Sequence, residues 1–169
     1  MNPVPSHPAL TAAQARLAAL DQQFQPVAMI EHEEGAAAVL LESRDFRVIV
    51  IVANQDGEWV APSIVAGTPR PTSRSRPART AEHRPLLRMS RSRVPHADAN
   101  GERADTSWSA VLGTAAADAT TLTVISTIDS YTAPIASNGL AFALVRTPTG
   151  EHPLIHVHTA DGRILPVRS

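Results

Sequence analysis

Length, composition and charge narrow the class of protein. The 169 residues, 43% of them hydrophobic, suffice for one domain core and exclude a wholly disordered chain. The sequence has no cysteine, which excludes disulfides, thiolate chemistry and cysteine-ligated zinc. The formal net charge is −1, and all fifteen basic residues are arginine. Together with the abundant alanine, this arginine bias indicates a GC-rich bacterial genome.

The first predicted element is a helix over residues 11–25, preceded by a disordered tail over residues 1–10. Thr11 and Gln14 have the spacing of a capping box, in which each side chain bonds the backbone N–H of the other residue. Pro26 predicts the end of the helix. Four apolar residues recur at intervals of three or four and predict one apolar face: Ala13, Leu17, Leu20 and Phe24.

Residues 27–66 have the pattern of about three strands. The run FRVIVIVA at 46–53 is apolar on both faces, which predicts a central strand covered on both sides. Asp56 and Gly57 form a dipeptide typical of a tight hairpin turn. The return strand is expected over Trp59 to Val65. Because Pro62 inside it cannot donate to a strand ladder, it is expected to be an edge strand or a broken one.

Residues 107–168 predict five or six further short strands. Leu122 and Val124 alternate with threonines, the pattern of a half-buried strand. Asn138 and Gly139 separate two such runs and are the strongest hairpin signal in the chain. Many short strands at close spacing are typical of a sandwich or a small barrel.

These elements predict a mainly β fold: an antiparallel β-sandwich or small barrel with one short N-terminal α-helix and a long Arg/Pro/Ser-rich surface excursion. An isolated meander the size of residues 27–66 is rarely stable, and the C-terminal half is near the lower size limit for folding alone. We therefore expect residues 11–169 to form a single domain with one shared core, and two separate domains are the alternative. The layout of the C-terminal half resembles immunoglobulin-like and prealbumin-like sandwiches. The Cys-Trp-Cys core of immunoglobulin domains is absent, however, and no motif identifies a specific family.

The excursion, residues 68–105, is strongly basic. Eight arginines and one glutamate give residues 68–95 a net charge of +7, so the rest of the chain carries −8. With little apolar surface to offset the entropy of ordering, we expect a mobile insertion. It is either a solvated linker or a polyanion-binding arm. The candidate polyanion-binding residues are Arg70, Arg74, Arg76, Arg79, Arg84, Arg88, Arg91 and Arg93.

Three histidines near the C-terminus form a candidate metal site. His156 and His158 are two residues apart on a predicted strand and so share a face, and His152 precedes that strand. Imidazole ligands of this kind suit zinc or copper. In the alternative interpretation, Ile155 and Val157 point inward and the histidines are ordinary outward-facing residues.

Motifs for enzymatic chemistry are missing from the sequence. It contains no nucleophile elbow, no Walker loop, no dinucleotide-binding glycine motif and no His-Glu-x-x-His. We therefore expect a non-catalytic protein-interaction or accessory module in the cytoplasm, bound to itself or another protein, with no cofactor and no membrane contact. Two alternatives stay open. One is a polyanion- or nucleic-acid-binding protein using the arginines, and the other is a hydrolase or metal-dependent enzyme using the histidines.

Overall fold

The computed structural model describes residues 6–62, 65, 67–73, 75–97 and 102–168. Strands make up 56% of it and helix 6%, which confirms the predicted mainly β fold with one short helix. The helix is α1 (Pro8–Leu17). The strands are β1 (Gln25–His32), β2 (Ala36–Glu42), β3 (Phe46–Gln55), β4 (Glu58–Val60), β5 (Gly67–Pro69), β6 (Leu86–Ala97), β7 (Arg103–Ala115), β8 (Ala119–Ile125), β9 (Ser130–Pro134), β10 (Leu140–Pro148), β11 (Leu154–Thr159) and β12 (Ile164–Pro166).

The strands form three antiparallel sheets within the described residues. The first sheet has the order β1-β2-β3-β4, with β5 also paired to β3. The second sheet has the order β10-β7-β6, and the third has the order β12-β11-β8-β9. The return strand lies at the edge of the first sheet, as predicted, but β4 ends at Val60, before Pro62, and is shorter than the predicted strand.

The helix lies on the first sheet but has different bounds from those predicted. It begins at Pro8 because the His7 ring accepts a hydrogen bond from the Ala9 N–H at 3.1 Å and because proline suits the first helical turn. It ends at Leu17, since the following residues turn the chain into β1 at Gln25. The predicted helix over 11–25 is therefore wrong at both ends, and so is the predicted disorder over 8–10. Residues 1–5 lie outside the described residues.

The centre of the first sheet is buried on both faces. In β3, Val48, Val50 and Val52 belong to a core cluster that includes buried residues of α1. Ile49 and Ile51 point to the opposite side and belong to a second cluster. This alternation confirms the prediction of a central strand covered on both sides.

Two clusters connect the three sheets. The second cluster contains Ile51 of β3, Trp108 of β7 and Leu144 of β10, so strands from both halves of the chain pack together. The third cluster lies on the other face of the second sheet, where Val145 of β10 packs with Val157 of β11. The first and third sheets therefore lie on opposite faces of the second.

The predicted excursion over 68–105 needs correction where the chain is in strands. Residues 86–97 form β6, which pairs with β7 at the edge of the second sheet. Leu86 is 3% exposed, and Val94 packs into the second cluster opposite Trp108. An edge strand hydrogen-bonds on one side only and tolerates charged residues, which is why its sequence looked like a linker. The mobility of residues 70–85 stays a prediction except around Arg70 and Thr80, which are held by contacts to the sheets.

Candidate functional site

Arg70 is paired at the end of the first sheet. Its Nε lies 3.2 Å from Glu42 Oε2, and its Nη1 donates to the Ser43 carbonyl at 3.4 Å. Arg47 Nε donates to the other Glu42 oxygen at 2.7 Å. Because the Glu42 side chain is only 11% exposed, two arginines share one nearly buried carboxylate. Arg70 is therefore bonded to the end of β2 and is not a free cation.

The segment around Thr80 is anchored to the turns of the third sheet. Thr80, which is 3% exposed, donates from its N–H and its hydroxyl to Asp118 Oδ1 at 2.7 and 2.6 Å. Arg163 Nη2 lies 3.0 Å from Asp118 Oδ2, and Arg163 Nη1 donates to the Thr80 carbonyl at 3.1 Å. Two backbone hydrogen bonds of 2.9 and 3.2 Å join the preceding residues to the Asp118 turn. Part of the predicted excursion is thus docked.

The neighbouring carboxylate, Asp161, is held in its ionised form. The Thr159 hydroxyl donates to Asp161 Oδ1 at 2.5 Å, and Arg163 Nε lies 2.9 Å from Oδ2. These bonds lower the pKa of Asp161 from 3.8 to about 2, and the same contact raises the pKa of Arg163. Arg79 is 3.9 Å from Asp161 and 73% exposed, so this pair contributes little.

Three further arginines of the segment have different surroundings, and Arg74 lies outside the described residues. Arg76 packs over Gly139, whose φ is +85° and where a Cβ would lie 2.5 Å from Arg76 Nη1. Arg84 is exposed, and Arg88 sits in a bulge of β6 with a φ of +48°. Among the described residues, neither Arg84 nor Arg88 forms an ion pair with a carboxylate.

The last two arginines, Arg91 and Arg93, meet His152 in a cavity of about 220 Å³, which we call the basic cavity. It lies between β6, β7 and the segment that leads into β11. Arg93 Nε donates to Ser109 Oγ at 3.3 Å, and Arg93 Nη2 donates to the Glu151 carbonyl. Arg91 Nε is buried without a hydrogen-bond partner in the described part of the chain. The sequence predicts the arginines and His152 in two separate sites, whereas the structure brings them together.

The three candidate metal ligands do not form one site. His156 and His158 are half-buried on the outward face of β11, where His158 Nε2 lies 3.0 Å from Thr123 Oγ1. The intervening Val157 is buried in the core, as the alternative interpretation predicted. His152 lines the basic cavity instead. Within the described residues, no three His, Asp or Glu side chains are grouped so that they could hold a metal ion, and no contact favours the hydrolase alternative.

The outward face of the third sheet, which we call the outer face, presents an uncharged surface. Its members follow from the strand register, in which residues directly opposite each other share a face. None of them is Asp, Glu or Arg, although such residues make up 18% of the chain. The outer face consists of Thr121, Thr123, Ile125, Ser130, Thr132, Pro134, Leu154, His156, His158, Ile164 and Pro166.

An apolar groove of about 420 Å³ lies between the end of α1 and the strands β3 and β5. Leu17, Leu20 and Phe24 of the predicted apolar stripe line one wall, and Phe46 and Val48 line the other. Leu20 is 52% exposed and Phe46 is 40% exposed. Of the predicted apolar stripe, only Ala13 and Leu17 lie on the helix, so the prediction of one helical apolar face is wrong beyond Leu17.

A polar cluster at the end of β1 escaped prediction. His32 Nε2 lies 3.0 Å from Asp129 Oδ2, and His32 Nδ1 accepts from the Glu34 N–H at 3.2 Å. The ring also lies 4.8 Å from that of Trp108, edge to face. With both ring nitrogens engaged, His32 has no nitrogen left for proton transfer to a substrate. The cluster joins the β1–β2 turn to the β8–β9 turn. His32 and Asp129 are 97 residues apart, so no local sequence motif could have predicted their contact.

Comparisons with protein-family models, with curated proteins and with solved structures found no match for this chain. The single helix of the described residues is too short to cross a membrane. Three surface features of the described residues are candidates for a functional site. These are the outer face, the basic cavity and the apolar groove.

Proposed function

We propose that this protein is a non-catalytic interaction module that associates with a second copy of itself through the outer face. The observation that carries the proposal is the exposure of large apolar side chains on a face without charge. Leu154 is 63% exposed, Ile164 60% and Ile125 36%. Leu154 and Ile125 lie directly opposite each other on β11 and β8, so they form one apolar patch. Removing such a patch from water favours association.

The polar side chains of the outer face bond to one another. Thr123 Oγ1 lies 3.0 Å from His158 Nε2 and 3.1 Å from Thr132 Oγ1. Burying a polar group is costly chiefly when it loses its hydrogen-bond partner. These three side chains keep their hydrogen-bond partners when another surface covers them, so burying the centre of the outer face costs little desolvation free energy.

A second copy is the partner that this face fits. An uncharged surface has no electrostatic pattern that selects a different protein, and it does not repel its own copy. We also infer that the three sheets form a sandwich in one domain, because core clusters fill the space on both sides of the second sheet. A partner's outer face would add a further layer by the same sheet-on-sheet packing.

The dimensions of the outer face predict a weak dimer. Four strands about 4.8 Å apart, with about 3.4 Å per residue, give a footprint of roughly 400 Å² on each copy. The total, roughly 800 Å², is below the 1,200–2,000 Å² of a stable interface, in the range of about micromolar or weaker complexes. The association is therefore transient and depends on concentration.

Sedimentation equilibrium over a wide concentration series tests this proposal. We expect the wild type to shift from monomer to dimer as concentration rises, and Leu154→Glu to stay monomeric because it places a buried charge at the interface. Val60→Glu is the matched control, since Val60 is 38% exposed on β4 of the first sheet. A wild type that is monomeric throughout, or a Val60 variant that dissociates equally, contradicts the proposal.

A second candidate function is polyanion binding through the arginines of β6 and the preceding turn. It is supported by Arg84, Arg88, Arg91 and Arg93, for which the described residues provide no carboxylate partner. Each phosphate contact should release counterions, so binding of a fluorescent DNA duplex should weaken with salt by about 0.9 log units per log unit of salt per contact. No binding at low ionic strength would remove this candidate.

A further inference from the structure

Three basic side chains are among those that line the basic cavity, although most of its wall is apolar. Arg91, Arg93 and His152 line it, and no carboxylate does. Within the described residues, neither Arg91 nor Arg93 forms an ion pair with an acidic side chain. Two like charges two residues apart on one strand repel each other, and a bound anion would relieve that repulsion.

The donors of the basic cavity are partly fixed. Ser109 Oγ accepts from Arg93 Nε at 3.3 Å and is itself 3.2 Å from Thr147 Oγ1, which is fully buried. The Glu151 carbonyl accepts from Arg93 Nη2. These bonds orient the guanidinium before any ligand arrives, which reduces the ordering cost of binding. Arg93 is thus a preorganised donor.

Arg91 supplies the donor that lacks an acceptor. Its Nε is buried and, among the described residues, has no hydrogen-bond partner. A buried guanidinium N–H without an acceptor is unfavourable. The other N–H groups of the same fork can form charge-assisted bonds to an oxyanion in the cavity. The neighbouring Arg93 and the exposed His152 present further donors at the same cavity.

We propose that the basic cavity binds one small phosphate-like anion, either inorganic phosphate or the phosphate of a small monoester, on Arg91, Arg93 and His152. The volume of about 220 Å³ holds one tetrahedral anion with a small substituent and is below the roughly 300–1,000 Å³ of sites for larger ligands. No Phe, Tyr or Trp lines the cavity, so it offers no large stacking surface for a base. This site is separate from the outer face and does not depend on dimerisation.

Isothermal titration calorimetry with inorganic phosphate, at constant ionic strength against chloride, tests the site. We expect one phosphate per chain, and a loss of affinity of about tenfold or more in Arg91→Gln, because a charge-assisted bond is removed. Arg84→Gln, which removes the same charge from an exposed side chain outside the cavity, is the matched control and should bind like the wild type. Equal losses in the two variants, or no phosphate binding beyond that of chloride, would overturn the proposal.

A measurement on the wild-type protein covers the case in which Arg91→Gln does not fold. In arginine-detected NMR, phosphate should move the Nε–H signals of Arg91 and Arg93 in a saturable way and leave that of Arg84 in place. A small monoester such as glycerol phosphate should compete with inorganic phosphate for these shifts if the natural ligand is an ester. A DNA duplex that binds while phosphate causes no shift would show a polyanion surface instead and overturn the small-anion assignment.

Discussion

Asp118 and Arg163 form an ion pair, with Arg163 Nη2 3.0 Å from Asp118 Oδ2, and Thr80 is hydrogen-bonded to both residues. The three residues come from distant parts of the chain. Their contacts hold the segment around Thr80 against the β7–β8 and β11–β12 turns. Its polar atoms satisfy one another at a position where Thr80 is 3% exposed. The Asp118 carboxylate therefore supplies both acceptor bonds of Thr80, beside the backbone hydrogen bonds that also dock the segment.

Replacing Asp118 by alanine should release this segment. The change leaves the Thr80 hydroxyl and N–H without their acceptor, which we expect to cost about 2–3 kcal/mol of unfolding free energy. It should also speed trypsin cleavage of the peptide bond after Arg79, which is the test. Asp21→Ala is the control, because Asp21 is exposed. Unchanged cleavage in Asp118→Ala would show that Asp118 does not hold the segment.

Asp161 makes a pH-dependent contribution to the stability of the folded state. Its folded-state pKa of about 2 lies below the ordinary value of 3.8, so the ionised form stabilises the folded state. That contribution is complete above about pH 4 and is lost as the pH falls to about 2. Asp161→Asn should therefore lower the melting temperature near neutral pH, with a smaller difference from wild type at about pH 2. An equal difference at both pH values would contradict the ion pair with Arg163.

The core between the first and second sheets can be tested by paired leucine substitutions. Leu144 of β10 is fully buried in the second cluster, so Leu144→Ala should cost about 2–5 kcal/mol. Leu154 is 63% exposed, and Leu154→Ala in dilute protein should stay within about 0.5 kcal/mol of wild type. Chemical denaturation of both variants measures the difference. Equal costs would mean that the first and second sheets do not pack as described.

The elements that sequence predicted well are those with a strong apolar period. The run at 46–53 is apolar on both faces, and β3 is indeed covered on both sides. The alternation around Leu122 and Val124 placed the threonines outward, and the register confirms it. A regular period reports burial directly, because each side chain of a strand points to the opposite face from its neighbours.

The features that sequence missed depend on pairing rather than on period. The stretch that forms β6 has the composition of a linker because arginines and serines occupy many of its positions, and only Leu86 of the strand is buried. Its pairing with β7 is what makes it a strand. Neither the His32–Asp129 contact nor the meeting of Arg91 with His152 has a local signature. Tertiary contacts of this kind depend on which strands become neighbours, and one sequence does not report that.

The most direct test of self-association through the outer face is to locate the contact between two copies. Methyl NMR spectra of the wild type over a dilution series follow each apolar side chain separately. Dimerisation through the outer face should shift the signals of Ile125, Leu154 and Ile164 together as concentration changes. The signals of Leu20 and Val60, on the first-sheet side of the molecule, should stay fixed. Signals of the outer face that do not change with concentration, or shifts centred on Leu20 and Val60, would contradict self-association through the outer face.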